Sequence, residues 1–256
     1  MDKYEASDKT VADGLYKFAD NVYITDIPMF IQFSKRKSMN GHSGYIFEGD
    51  HTSPPDGFPD IHEIIIDKKF DINQEKLEKY SKKYNFPSGD TCIVIGSNPT
   101  IRNFELGDAI DSSDIFTFRI NRNPDQSISK NCGSRTDMFL GCTFHKSLLS
   151  KVNNKVIFDD SMILDISRDF FLDKRWFTTG FIGILFALYN FKKVYVYGFG
   201  NPYEDEDYSS EKHVYDNASL VPKNHSLRFE HALIRKFRED SYKDRFFIVE
   251  AGDSFV

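Results

Sequence analysis

The 256-residue chain predicts a single α/β domain: a Rossmann-like, mostly parallel sheet flanked by helices over residues 91–256, preceded by an irregular N-terminal cap, residues 1–90. Three observations predict it. From Thr91 onward short apolar runs alternate with helical patterns, as in successive βαβ units. Runs such as Cys92-Ile-Val-Ile-Gly96 and Val194-Tyr-Val-Tyr-Gly198 carry little polar alternation, which suits strands buried on both faces. The first of them stops at a small polar loop, Gly96-Ser97-Asn98. Ligands of open parallel sheets bind beyond the C-terminal strand ends, so that loop falls on the functional side.

In chain order, the cap is mixed and polar, with turn signals at Asn40-Gly41 and Ser53-Pro-Pro-Asp-Gly57. Residues 61–67 (IHEIIID) read as a strand, and 75–84 (EKLEKYSKKY) as a helix with Leu77 and Tyr80 at i,i+3 spacing. The sheet strands are expected at Cys92–Gly96, Ile115–Asn121, Thr136–Leu140, Val156–Asp159, Lys193–Gly198 and Phe246–Glu250. The chief helices between them are Thr179–Phe191 and Ser226–Asp240. In the second, Phe229, Leu233 and Phe237 recur every fourth residue and form an inward apolar stripe.

Composition narrows the function. Hydrophobic residues make up 40% of the chain and Phe alone numbers 25, enough for a large core. A formal net charge of −6 argues against nucleic acid as a partner, because phosphate neutralisation needs clustered Lys and Arg. No apolar run approaches the ~20 residues that span a bilayer, so no transmembrane segment is expected. The N-terminal MDKYEASDKTVADG has neither the basic nor the apolar region of a signal peptide. Cys92, Cys132 and Cys142 lack metal-type spacing, and an odd count disfavours a disulfide framework. The expectation is a soluble protein of the cytoplasm or another reducing compartment.

The glycine pattern speaks against a dinucleotide. Gly96 is followed by Ser97, Asn98 and Pro99 rather than by spaced glycines, and the second strand ends in basic and amide residues (Arg119-Ile-Asn-Arg-Asn-Pro124) where a ribose-binding acid is needed. Arg119, Asn121 and Arg122 offer donors for phosphate, carboxylate or a pyrimidine edge; equally, Arg119 reads as half of a structural ion pair. Residues 177–200 are a loop, an apolar helix and a buried strand. Thr178 or Thr179 can cap the helix, and a Thr-Thr-Gly180 start is a ready anion site. Trp176 and Phe199 can stack on a base or serve as core aromatics. His213 follows an acidic loop, and His225 opens the last long helix, whose dipole disfavours imidazolium and keeps the ring able to accept a proton. Asp205-Glu-Asp207 lacks the further ligands a cation needs, so no metal is expected.

In this order the pieces resemble the eukaryotic-type sialyltransferase family. The family's large motif is similar to Cys92 through about Leu140, with Ile110-Asp111-Ser112, Arg119-x-Asn121-x-x-Pro124 and Gly133-Ser134-Arg135-Thr136. The small motif is similar to Thr178–Gly200, with Thr179-Gly180, Phe186-Ala187-Leu188 and Val196-Tyr-Gly-Phe-Gly200. The third resembles His213-Val-Tyr-Asp216, and the fourth, His with Glu five residues on, resembles His225 and Glu230. Four short motifs in the family's order across roughly 140 residues are specific together, though each is weak alone.

The resemblance implies a glycosyltransferase A-like variant of the fold. It also implies an inverting, metal-independent transfer of sialic acid from a CMP-sugar donor to a glycan acceptor, with no cofactor, by a catalytic domain at 91–256. By position, Ser97, Asn98 and Asn121 would meet the CMP phosphate and ribose; Thr178, Thr179 and Gly180 would hold the donor; Phe199 would lie against cytosine; and Trp176 would stand near the substrate. His213 would steady the leaving phosphate and His225 would be the general base. The chain departs from the family at Gly96-Ser-Asn-Pro99, usually Gly-Asn-Ser-Gly, and at Asp216, usually Glu. The family's disulfide between the large and small motifs is also lost, because the partner position of Cys92 is Phe191. Transfer of another CMP-activated keto acid such as Kdo shares this donor site, and a non-catalytic nucleotide- or glycan-binding module is the alternative of another class. Acceptor contacts are expected from residues 1–90 and 201–224, and a galactoside is one candidate.

Overall fold

The computed structural model describes residues 33–37, 43–47, 72–121, 126–143, 146–147, 149–170, 176–203, 225 and 227–249. The chain divides into two units, Met1–Phe58 and Pro59–Val256. In the first, β1 (Phe33–Lys37) pairs antiparallel with β2 (Ser43–Phe47), Lys37 opposite Ser43. Neither strand was expected, although the turn signal Asn40-Gly41 falls between them. The turn signals at Asn40-Gly41 and Ser53–Gly57 and the strand expected at 61–67 lie outside the described residues.

The second unit is built on six strands: β3 (Gly89–Ile95), β4 (Phe116–Ile120), β5 (Met138–Cys142), β6 (Lys155–Phe158), β7 (Phe191–Tyr197) and β8 (Phe246–Ile248). Their order is β6-β5-β4-β3-β7-β8 and all five pairings are parallel. All six sheet strands expected from Cys92 onward are present, with ends shifted by at most three residues. The central β3 is buried on both faces from Cys92 to Ile95, which explains its unbroken apolar run.

Two layers cover the sheet. On one side lie α1 (Gln74–Tyr84), α4 (Asp160–Ser167), α5 (Thr179–Asn190) and α6 (Leu227–Lys236). α1 begins at Asn73, whose side chain accepts the Lys76 N–H, and ends at Asn85 in the left-handed conformation (φ 47°). It turns Leu77 and Tyr80 inward, and the Tyr80 hydroxyl donates to Asp165 on α4 (2.7 Å). α5 is apolar on every side because every side is covered: Phe181 through Leu188 are all buried. Phe186 stacks between Phe86 and Phe158 with centroids 5.2 Å away on each side, and full burial of such a ring stabilises by roughly 1.5–3 kcal/mol.

α6 presents Phe229, Leu233 and Phe237 inward, each at most 1% exposed, as its fourfold spacing predicts. It closes in a wide π-turn over Phe237–Ser241, with the Tyr242 N–H on the Phe237 carbonyl (3.0 Å). On the other side a smaller cluster (Ile93, Ile95, Ile101, Ile110, Tyr197) packs under α2 (Gly107–Ser112), α3 (Ser129–Cys132) and the 3-10 turn Pro99–Asn103.

Cys92, Cys132 and Cys142 are all free. Phe191 opens β7 opposite Gly89, with Cys92 further along and opposite Val194, and packs its ring on Phe116 (5.7 Å) and Phe118 (5.6 Å).

Candidate active site

The strand order reverses at β4-β3-β7, so crossovers on either side of this point leave the sheet by opposite faces and open a crevice at its C-terminal edge. Two loops meet there. The Gly96 N–H donates to the Tyr197 carbonyl (2.8 Å) and the Asn98 N–H to the Gly198 carbonyl (2.9 Å), extending the β3–β7 pairing into both loops. Only glycine permits this approach: a Cβ on Gly96 would stand 2.3 Å from the Gly198 oxygen, and Gly198 has φ +73°. Asn98 is buried and caps the following 3-10 turn, its side-chain oxygen taking the Thr100 N–H (2.9 Å). Ser97 is half-buried between them.

Asn121 ends β4, one strand over, with φ +63°, a left-handed value Asn tolerates. Its backbone N–H donates to the Leu140 carbonyl (2.8 Å), while Oδ1 is buried with no hydrogen-bond partner among the described residues. A buried lone acceptor costs about 1–3 kcal/mol, which a donor hydroxyl would relieve. Of the two roles the sequence suggested, Arg119 takes the structural one, through carbonyls rather than a direct ion pair among the described residues. It turns away from the Gly96 loop: Nη2 donates to the Cys132 and Gly133 carbonyls (2.7 and 2.9 Å), and Nε to Arg135 O and Thr136 Oγ1. Asp111 grips the same turn from the other side, accepting the Ser134 and Arg135 N–H groups (2.9 and 2.8 Å). Opposite charges thus fix the lead-in to β5, and this part of the large motif is structural. Arg122 lies outside the described residues.

The third wall is the start of α5. Thr178 is its N-cap, with Oγ1 accepting the Phe181 N–H (3.1 Å). The Thr178 N–H and hydroxyl both donate to Glu230 of α6 (2.6 and 2.7 Å). Both Thr178 groups are therefore committed to holding the helix start, and the next amides at this end belong to Thr179 and Gly180. Glu230 is 4% exposed, and burial pushes its carboxyl up to about 8, against the pull of the two Thr178 hydrogen bonds.

Phe199, half-buried, lies across Gly180 and Gly96; a Cβ on Gly180 would come within 2.8 Å of its ring. His225 stands beside Trp176, rings edge to face at 5.9 Å, with its Nδ1–H on the Trp176 carbonyl (2.8 Å). A carbonyl only accepts, so the proton sits on Nδ1 and Nε2 keeps its lone pair. Burial lowers the pKa of His225 below the ordinary imidazole value, which favours the neutral ring.

The structure therefore gathers Ser97, Asn98, Thr178, Thr179, Gly180 and Phe199 around one strand crossing, with Asn121 at the adjacent strand end and Trp176 and His225 at the lead-in to α5. His213 and the acidic run Asp205–Asp207 lie outside the described residues. Among the described residues no three His, Cys, Asp or Glu converge as metal ligands. No helix among them is long and apolar enough to cross a membrane. A cavity of about 410 Å³ opens at the ends of β7 and β8, lined by Thr100, Asn103, Phe104, Tyr203 and Val249. Of the predicted set it shares Phe199, but not Ser97, Asn98, Asn121, Thr178 or His225.

Two residues had no assigned role in the sequence reading. Glu230 stood there only as a motif letter, and His231 was not singled out. His231 is 5% exposed and donates from Nε2 to the Phe199 carbonyl (2.8 Å); burial pushes its pKa down to about 4. The available signal was spacing, since His231 and Arg235 are i and i+4 on a helix whose apolar stripe is already complete.

The model of glycosyltransferase family 29 (sialyltransferase) matches the chain over residues 59–163 and 138–242. No curated protein sequence matches. Among solved structures the chain is similar to a crystal structure of a mammalian sialyltransferase, at 15% identity and a TM-score of 0.46, over 75% of this chain and 86% of that one. It is also similar to a mammalian sialyltransferase in complex with Gal-beta-1-3GalNAc-ortho-nitrophenol, at 15% identity and a TM-score of 0.45, over 74% of this chain and 84% of that one.

Proposed function

Since the chain belongs to glycosyltransferase family 29, the sialyltransferases, we propose that it transfers sialic acid from CMP-sialic acid to a glycan hydroxyl, with inversion and without a metal. The bond from the anomeric carbon to the CMP phosphate breaks as the bond to the acceptor oxygen forms. The acceptor proton passes to the enzyme and the negative charge to departing CMP.

The observation that carries this mechanism is the state of His225. A half-buried imidazole whose pKa is lowered and whose Nδ1–H is tied to a carbonyl presents Nε2 as a base, which is what removing the acceptor proton requires. The N-terminus of α5 supports the donor half. Its first amides, kept in line by Thr178 and Glu230, suit the single phosphate of CMP. Asn121 Oδ1 would take a ribose hydroxyl, Ser97 and Asn98 would meet the phosphate side, and the exposed part of Phe199 would meet cytosine. His213 would complete the set by steadying the leaving phosphate.

The test is CMP release by purified protein from CMP-N-acetylneuraminic acid and, separately, CMP-Kdo. Each is run with EDTA and a panel of glycan acceptors, beside His225→Ala. Release from the sialyl donor that survives EDTA and is lost in the variant is the expected result. Release from CMP-Kdo alone would reassign the sugar. Loss in EDTA restored by Mg²⁺ or Mn²⁺ would overturn metal independence.

A further inference from the structure

We propose that His231 and Arg235, one turn apart on α6, are positioning residues that hold the segment Phe199–Pro202 in its nucleotide-facing shape and so set the affinity for the donor. This rests on the reading above in which Phe199 lies against the cytosine.

The segment needs an external hold. It follows Gly198 and contains Gly200, both at positive φ (+73° and +82°), and glycines give a turn no conformational preference of its own. α6 supplies that hold through two carbonyls. His231 Nε2–H donates to Phe199 O (2.8 Å), and Arg235 Nη1 donates to Pro202 O. The imidazole also fits against Gly200, where a Cβ would stand 3.1 Å from the ring. With its carbonyl held from behind and its ring resting on Gly96 and Gly180, Phe199 has little freedom left.

Space-filling alone would not call for these residues. A buried imidazole is unfavourable unless its polar atoms are bonded, and an apolar side chain would fill the same volume more stably. α6 docks through Phe229, Leu233 and Phe237, none of which touches this role. The contribution of His231 and Arg235 is conformational, and a wall fixed in advance binds its ligand without paying for ordering.

The consequence is specific to one substrate. Loss of a hydrogen bond that preorganises the wall should weaken CMP by about tenfold. His231→Leu is expected to raise the CMP dissociation constant and donor KM by that factor, with acceptor KM unchanged and kcat within about twofold. His231→Gln, which keeps an N–H near the position of Nε2, is expected to restore both. Arg235→Met, which keeps the alkyl stem, gives an independent reading should His231→Leu fold poorly. Phe199→Ala is the control on the premise.

Calorimetric CMP titration and donor and acceptor kinetics on these five proteins, wild type included, decide the matter. If Phe199→Ala loses CMP while His231→Leu and Arg235→Met bind it normally, the clamp is refuted and the donor site stands. If His231→Gln weakens CMP as much as His231→Leu, the N–H is not the cause and the clamp is likewise refuted. If Phe199→Ala binds CMP like wild type, the base-stacking premise falls and the clamp with it.

Discussion

Acidification should expose the burial of His231 as a measurable loss of stability. The ring titrates at about 4 in the folded protein, against about 6.5 for a free imidazole. Between those values the unfolded chain binds a proton that the native chain does not, so stability falls as pH drops through that window and is intact above it. From pH 7 to pH 5 the unfolded residue goes from mostly neutral to almost fully charged, which at 1.36 kcal/mol per pH unit is worth about 2 kcal/mol. Glu230 works in the opposite sense. Its carboxyl, pushed up to about 8, retains in the native state a proton that the unfolded chain sheds above about 4.5, so its contribution declines as pH rises toward 8. In the protonated form the bond to Thr178 reverses, with the carboxyl O–H donating and the hydroxyl oxygen accepting. Because the two residues oppose each other, the informative quantity is variant minus wild type at each pH. Urea unfolding of wild type and His231→Gln at pH 7 and pH 5 should show the variant gaining about 2 kcal/mol relative to wild type on acidification. An unchanged difference would mean that the ring titrates like an exposed imidazole, and the burial argument would be wrong.

Three further outcomes follow from the site. Thr178→Ala removes the α5 cap and strips Glu230 of a buried donor, so urea unfolding should show a loss of about 1–3 kcal/mol, largely recovered in Thr178→Ser. Gly96→Ala puts a methyl 2.3 Å from the Gly198 oxygen, backbone against backbone, and should destabilise by about 2 kcal/mol or more and abolish CMP binding; a wild-type melting temperature would contradict the loop contact. His225→Ala should cut kcat by about 100-fold or more while leaving CMP affinity within about twofold, and in wild type the acid limb of kcat/KM should lie below about pH 6.5, because burial lowers this histidine.

The sheet was legible because a strand covered on both faces has to be apolar throughout, as Cys92–Ile95 and Val194–Tyr197 are. The start of α5 was legible because Thr is one of the short polar residues that cap a helix, and an unbroken apolar run follows it. β1 and β2 were not, since Phe-Ser-Lys-Arg-Lys carries no apolar run for a pattern to detect. For Arg119 the sequence left ligand donor and structural residue both open, because a position at a strand end says nothing about side-chain direction; its guanidinium reaches back to carbonyls that come thirteen to sixteen residues later. Glu230 and His231 look in sequence like the polar side of an amphipathic helix. Only the three-dimensional arrangement shows that this side faces two loops rather than water.

Fastening the start of β7 by the ring contacts of Phe191 rather than by a cross-link has a consequence beyond the native state. A disulfide between the large and small motifs would shorten the unfolded chain's excursions and stabilise partly by restricting that ensemble, whereas rings packed against rings leave the unfolded chain unrestrained. Refolding of this seam therefore has no oxidative step to wait for and no mispaired thiol to correct. Its strength comes from contacts that weaken on cooling and in urea and are indifferent to dithiothreitol. A catalyst fastened in this way keeps the same β3–β7 seam whether its surroundings are reducing or oxidising.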